Sequence, residues 1–295
     1  MFYKRQKKIE NIEKNILIFG NGYSSSFISK QAKLLGYHVF IVSRNPDRNP
    51  IQEIDYINFR NQELVNSFIQ KSIIISTVPP DKDGLDPVLS EYGGTLKKQK
   101  NICCYISSTS VYGPGLVFED SLCNPDSRRG KIRLKIEDHW LQTSQNIQIF
   151  RSGGIYGLDR HPMIKFLNGN HEVSVKKDHY PNRINVEDLA KIILVSIQKH
   201  APKRIINVTD QKNITTIDAI NYVASELGLT KPLPVDYQKA SISDMAREFF
   251  SSSKTVRSKI VTEVLNYSYI HPDFKKALLQ LTISFLETQK SNPKY

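Results

Sequence analysis

The stretch Ile16-Leu17-Ile18-Phe19-Gly20-Asn21-Gly22-Tyr23-Ser24-Ser25 decides how this chain is read. Four apolar residues stop at a glycine, and from Ser26 to Leu35 the residues Phe27, Ile28, Ala32 and Leu35 recur at helical spacing before Gly36. A strand, a turn and a helix follow directly. A second apolar run, His38 to Ser43, makes the first forty-odd residues one βαβ unit, whose crossover is right-handed.

The alternation continues along the chain. Asp55–Phe59, Ser72–Thr77, Ile102–Ser107, Ile147–Arg151 and Arg204–Val208 read as strands, and Gln62–Gln70, Pro87–Lys100, Lys131–Thr143 and Val186–Lys199 as helices. Strands apolar on both faces belong in a parallel sheet covered by helices. The expected fold is therefore α/β, a Rossmann-like doubly wound parallel sheet with a smaller C-terminal substrate lobe. The division is a dinucleotide-binding Rossmann domain over 15–155, followed by a mixed region over 156–295 that adds sheet elements and the lobe. Residues from about Tyr156 to Tyr180, and those after Thr209, lose the strand-helix rhythm; Lys231–Val235 and Ser251–Ser253 read as loop.

Composition limits the alternatives. The chain has 295 residues, 39% hydrophobic and 24% charged, the profile of an ordinary globular protein. No apolar run is long enough to span a bilayer, and no apolar stretch with a cleavage site follows the basic N-terminus, so a cytoplasmic setting and no membrane partner are expected. Cys103, Cys104 and Cys123 lack metal-ligand spacing, and the adjacent pair lies in an apolar run as small core residues do. The net charge of +12 raises the question of a polyanionic partner. The basic residues are scattered, however, apart from a Lys4–Lys8 arm and the Arg128–Lys135 stretch, so no nucleic-acid partner is expected.

A pyrophosphate needs backbone N–H groups and a helix N-terminus pointed at it, at an approach too close for side chains. Gly20 and Gly22 meet that need between strand and helix, with Asn21, Tyr23, Ser24 and Ser25 completing the loop. Ser25 stands where G-x-G-x-x-G has its third glycine, and a serine there can cap the helix or bond a phosphate. The plainer alternative is a tight βα turn. At the end of the second strand, NAD binders place Asp or Glu on the ribose 2′-OH; here stand Ser43 and Arg44, and a guanidinium suits a 2′-phosphate. NADP is thus expected ahead of NAD. The alternative for Arg44 is an exposed loop arginine.

From the glycine loop onward the chain resembles the extended short-chain dehydrogenase/reductase superfamily, within it the atypical branch of nucleoside-diphosphate-sugar epimerase-like or NAD-dependent epimerase/dehydratase proteins. The resemblance spans nearly the whole chain. It rests on Gly20-Asn-Gly-Tyr23, Ile75-Ser-Thr-Val-Pro-Pro80, Tyr105-Ile-Ser-Ser-Thr-Ser-Val-Tyr-Gly113, Arg151-Ser-Gly-Gly-Ile-Tyr-Gly157 and Arg183-Ile-Asn-Val-Glu-Asp-Leu-Ala190. It implies that Ser76, Thr77, Val78 and Pro79 pass beside the adenosine and ribose, that Ser107 lies along the cofactor, and that Ser108 matches the family's catalytic Ser/Thr. A serine satisfying backbone groups at a strand end is the other reading of Ser108.

The family's active members carry Tyr-x-x-x-Lys on the helix after the fifth strand, where the ammonium lowers the phenol's pKa. With Glu137 aligned to the family's glutamate, Arg129 stands at the tyrosine position and Arg133 at the lysine position. Arginine does not exchange a proton, although Arg133 could still hold a ribose hydroxyl; a solvated helix face is the alternative for this cluster. The chain's one Tyr-x-x-x-Lys, Tyr3 to Lys7, precedes the first strand and is coincidental. Either Tyr112, Tyr156 or Tyr180 projects from a loop to do the proton transfer, or the chain binds dinucleotide without turnover, as a sensor or regulator. Arg160, after Gly157, and Tyr156 are the substrate-side candidates, with a structural arginine as the alternative for Arg160. Asn185, Glu187 and Asp188 match the family's helix-capping segment. His161, His171 and His179 lack the spacing of metal ligands, and no metal is expected. The expected partner is a small-molecule substrate of sugar-nucleotide type, the reaction that of an NADP-dependent oxidoreductase or sugar-nucleotide epimerase/dehydratase-like enzyme, and a homodimer is the assembly to test.

Overall fold

A computed structural model describes residues 14–48, 50–199, 204–251 and 253–291. The basic arm and the Tyr3–Lys7 coincidence lie outside the described residues. Along the first hundred residues come β1 (Asn15–Phe19), α1 (Tyr23–Leu34), β2 (His38–Ser43), β3 (Asp55–Asn58), α2 (Gln62–Ile69), β4 (Ile73–Ser76), α3 (Pro87–Lys98) and β5 (Cys103–Ser108). There follow β6 (Gly115–Val117), α4 (Arg128–Thr143), β7 (Ile147–Ser152), β8 (Gly154–Tyr156), α5 (Pro162–Leu167), β9 (Glu172–Val175), β10 (Arg183–Asn185), α6 (Val186–Gln198) and β11 (Arg204–Val208). The chain continues with α7 (Thr216–Glu226), β12 (Leu233–Asp236), α8 (Asp244–Ser251), β13 (Lys254–Val256) and α9 (Phe274–Ser291).

The central sheet has seven strands in the order β11-β7-β5-β4-β1-β2-β3. Strand order reverses between β1 and β4, because the chain steps outward through β2 and β3 and then returns to the other side of β1. Phe19 is in register with Val42 on one side and with Ser76 on the other, so β1, β2 and β4 end at one level. Doubly wound folds bind ligands at such a crevice. Ile16, Leu17, Ile18, Ile41, Ile74 and Ile75 are fully buried, as strands covered on both faces require.

The chain forms two compact units. One gathers the described residues up to Ile106 with Ile136–Ile149 and the described residues of Ser196–Arg204. Its interior is locked by Asp86, which accepts the backbone N–H of Val88 (2.8 Å) and Leu89 (3.1 Å) at the start of α3 and the Trp140 indole N–H (2.9 Å). Cys103 and Cys104 are buried, free and inert; loss of hydration pushes the Cys103 thiol up to about 12.

The other unit comprises Ser107–Lys135, Phe150–Val195 and the residues from Ile205 onward. The sequence left most of it without regular structure. Here the two-stranded parallel pairs β8/β10, β9/β12 and β6/β13 join segments far apart in the chain. The Pro-containing stretch read as loop is β12, in which Pro234 sits opposite Val173; a two-stranded ribbon leaves one edge unpaired, where a residue without an N–H is tolerated. Tyr156, Met163, Phe166, Val173, Ile220, Val223, Phe274 and Leu278 make this unit's apolar core.

Candidate functional site

The first cluster is the glycine loop. Gly20 has a φ of +109°, and a Cβ on it would run into Thr77 Oγ1, which donates to the Phe19 carbonyl at 3.0 Å. The fold itself demands glycine there. Gly22 differs: its φ is −123°, it is exposed, and among the described residues a Cβ would meet no atom within 4 Å. The chain therefore keeps bare backbone facing open space at the N-terminus of α1, the shape in which a pyrophosphate packs on peptide groups.

Ser25 explains why α1 starts at Tyr23, three residues before the spacing of apolar positions suggested. Its fully buried hydroxyl accepts the Gly22 N–H at 2.7 Å and lies 2.8 Å from the Gly22 carbonyl, closing the first turn. The serine in place of a third glycine is thus a cap. Ser24 and Tyr23 are half-buried beside it, and the Tyr23 ring packs on Phe27 at 5.2 Å.

Asn21 reaches across to the loop after β2, donating to the Arg48 carbonyl at 2.7 Å. Ser43 Oγ accepts the Asn45 N–H at 3.1 Å, so the segment carrying exposed Arg44 is held at both ends. Thr77 and Val78 are half-buried and Pro79 exposed, just past the end of β4. Within this unit, Gly20, Asn21, Gly22, Ser43, Arg44, Thr77 and Val78 all lie at or just past the C-terminal ends of three adjacent strands. This donor set fits an anionic dinucleotide: backbone N–H groups, small hydroxyls and a guanidinium, with the open cradle at Gly22.

The second cluster is built around β5's end, in the other unit. Ser107 is buried. Ser108 is half-buried and caps the single turn Thr109–Val111; its oxygen accepts the Ser110 N–H at 3.1 Å, which leaves its own proton to offer. The first turn of α4 presses on this segment so closely that only glycine fits at Gly130, against the Ser110 carbonyl and Pro125. Arg129, at the expected tyrosine position, is exposed, and Arg133 is half-buried.

The tyrosines expected on loops are largely enclosed. Tyr112 is fully buried: it donates to Asn207 Oδ1 at 2.8 Å and accepts from the Arg151 guanidinium at 2.8 Å. Burial raises its pKa against the pull of Arg151, and its proton is committed to Asn207. Tyr156 is 4% exposed, so it does not face solvent as a substrate contact would; burial and the nearby Asp210 carboxylate raise its pKa. Tyr180 remains exposed, as does Arg160, which closes a tight turn with Gly157 through backbone bonds of 3.1 and 3.0 Å.

Several residues of this unit escaped the sequence reading. Arg183, half-buried, donates to the Ile214 carbonyl (3.0 Å) and Thr216 Oγ1 (2.6 Å) and stacks on Phe274 at 4.1 Å. Near it, burial pushes the Asp210 carboxyl up to about 8, while Tyr156 and Arg183 pull the other way. Asn185 caps α6 as expected, accepting the Glu187 N–H at 2.9 Å. Asp188 does something else: it holds Tyr267 Oη (2.7 Å) and the N–H groups of Ile270 (2.8 Å) and His271 (2.9 Å), fastening a remote segment. No local pattern announces such partners. Helix α9, which the sequence reading passed over, does carry a local signal, since Phe274, Ala277, Leu278 and Leu281 recur at helical spacing.

No protein-family model matches the chain, and no curated protein matches it. Solved structures do. A functionally unknown conserved protein from Silicibacter pomeroyi superposes with a TM-score of 0.83 at 29% identity, over 92% of this chain and 98% of that one. Human epimerase family protein SDR39U1 (isoform 2), solved with NADPH, gives a TM-score of 0.71 at 15% identity over 91% and 99% of the two chains. This chain has the Rossmann-like α/β fold of the epimerases. The same epimerase-type fold occurs in MoeE5, solved in complex with UDP-glucose and NAD, with a TM-score of 0.69 at 16% identity over 92% and 99% of the chains. In the epimerase-type fold of this chain, the glycine loop sits at the switch point between β1 and β4.

Proposed function

We propose that this protein binds NADP(H) through Gly20–Ser25 and acts as an oxidoreductase or epimerase/dehydratase-type enzyme on a carbonyl or hydroxyl group of a small, anionic substrate of sugar-nucleotide class. The observation that carries the reading is Gly22. Among the described residues nothing excludes a side chain there, yet the loop is bare at a helix N-terminus at the sheet's switch point. The N–H groups of this turn would face the pyrophosphate, and Ser43 and Arg44 would meet the adenosine ribose. Arg44 favours a 2′-phosphate because a guanidinium pairs with it in bidentate fashion and no carboxylate stands at the end of β2 to repel it. When bound, the nicotinamide supplies the hydride chemistry.

The rest is asked of the chain's own side chains. Ser108, with its oxygen already engaged by the Ser110 N–H, is placed to donate its proton to a substrate oxygen. Arg160, exposed beyond the Gly157 turn, is the candidate for the substrate's anionic end. A cofactor-fluorescence titration with NADPH and NADH tests the proposal. Submicromolar to micromolar NADPH binding is expected, and Arg44→Asp should weaken NADPH by about tenfold or more while sparing NADH. An unchanged preference removes the NADP assignment; no binding of either cofactor at millimolar concentration removes the proposal.

A further inference from the structure

The missing Tyr-x-x-x-Lys leaves the proposed chemistry without a proton carrier, and the fold of the second unit offers one from an unexpected place. Lys254 opens β13, more than a hundred residues beyond the serine segment, yet its ammonium donates to the Tyr112 carbonyl. Ser108 caps the single turn Thr109–Val111 and Tyr112 closes it, so the carbonyl that Lys254 holds belongs to the same short turn as the serine.

The placement is held from several sides. Lys254 pairs with Gly115 and Val256 with Val117 across the β6/β13 ribbon. Asn182 clamps the strand, donating to the Lys254 carbonyl at 2.9 Å and accepting the Val256 N–H at 2.9 Å. Thr209 Oγ1 donates to the Val256 carbonyl at 3.0 Å, and Asn207 to the Arg257 carbonyl at 2.9 Å. A lysine carries three donors, of which the Tyr112 carbonyl takes one. The ammonium is partly desolvated, which lowers its pKa, while the Asp126 carboxylate opposes the shift.

We propose that Lys254 exchanges the proton with the substrate oxygen that Ser108 polarises, doing the work of the absent tyrosine–lysine pair. The inference rests on the enzymatic reading above. As electron density collects on a carbonyl oxygen, a Lys254 N–H bond breaks and an O–H bond forms; the neutral amine then regains its proton from water. In the oxidative direction the neutral amine takes the hydroxyl proton. The electron pair belongs to the nicotinamide chemistry already proposed, and Lys254 moves only the proton.

Two variants of the full-length protein separate this role from a structural one. Lys254→Arg keeps a cation able to bond the Tyr112 carbonyl but does not release a proton near neutral pH; Lys254→Met keeps the length alone. With NADPH and either 9,10-phenanthrenequinone or a UDP-4-keto sugar, both variants should lose kcat by about 100-fold or more, with KM and NADPH binding little changed. Rescue by arginine to wild-type kcat would show an anchor and overturn the proposal. Reductive 13C-methylation of the cofactor-free protein, followed by NMR titration, should place the Lys254 resonance, assigned by its loss in Lys254→Arg, below the other lysines. A midpoint among the bulk lysines would also overturn it. Wild-type protein that binds NADPH but reduces neither substrate refutes the role of Lys254 and spares the cofactor reading; failure to bind NADPH refutes both.

Discussion

Substituting alanine for each of the two loop glycines separates what the fold needs from what a ligand needs. At Gly20, φ is +109° and the new Cβ would displace Thr77 Oγ1 from its 3.0 Å bond to the Phe19 carbonyl. The backbone costs about 1–2 kcal/mol for a side chain in this conformation and the lost hydrogen bond about 1 more. Gly20→Ala should therefore lose about 2–3 kcal/mol, a fall in Tm on the order of 3–5 °C for a protein of this size. At Gly22, φ is −123° and the Cβ meets open space, so Gly22→Ala should lose no more than about 0.5–1 kcal/mol, the difference between glycine and alanine as a helix N-cap.

Cofactor binding should invert that ranking. A methyl group in the cradle separates the pyrophosphate from one peptide N–H group, a charge-assisted bond worth about 1.5–3 kcal/mol, so NADPH affinity should drop about tenfold to a hundredfold in folded Gly22→Ala. The assay is thermal unfolding of both variants with and without saturating NADPH, since a ligand that binds only the folded state raises Tm by mass action. Gly22→Ala should melt almost as wild type without NADPH and gain far less from it. A Gly22→Ala protein with the full NADPH stabilisation would refute the assignment of this loop to the pyrophosphate.

Two further outcomes follow from the packing. Asp86→Ala removes the α3 cap and strands the buried Trp140 indole N–H, and should cost about 2–4 kcal/mol in urea unfolding, with Asp86→Asn recovering part of it; a loss under about 1 kcal/mol would contradict the network. His271 Nε2 lies 3.2 Å from Glu187, which raises the imidazole's pKa and lowers that of the carboxylate. With the folded imidazole pKa above the unfolded one, its stabilisation is complete below the ordinary imidazole range and lost as pH rises through the folded value; the carboxylate's is lost as pH falls through its own lowered value. The pair is half-exposed and worth less than about 1 kcal/mol, so the Tm gap between wild type and His271→Gln should be small, largest in mildly acidic buffer and gone at alkaline pH. A gap that grows with pH would contradict the assigned sign.

The sheet was legible because its signals are local. β1, β2, β4 and β5 are short, largely apolar runs that stop at or just before Gly, Ser or Thr, and His38–Ser43 and Arg204–Val208 fall where the sequence pattern puts them. The three-serine stretch Ser24–Ser26 misled the reading of α1, because serine is a weak helix former whose capping power depends on the geometry its hydroxyl finds, here the Gly22 N–H. Pro234 in β12 misled in the same way, since only a two-stranded ribbon tolerates it.

What the sequence determined by itself is the glycine loop to which we assign the dinucleotide: strand, Gly20-Asn21-Gly22, helix, then Ser43-Arg44 are neighbours within one βαβ unit, joined by contacts a few tens of residues long. Only tertiary structure decided the rest of the chemistry. It enclosed Tyr112 against Asn207 and Arg151, turned Asp188 to Tyr267, and carried Lys254 to the Tyr112 carbonyl. The physical reason is that such partners meet through β-pairings and buried polar contacts between segments far apart in sequence. These leave no periodicity in the residues themselves, because the chain satisfies buried donors and acceptors wherever folding brings them together.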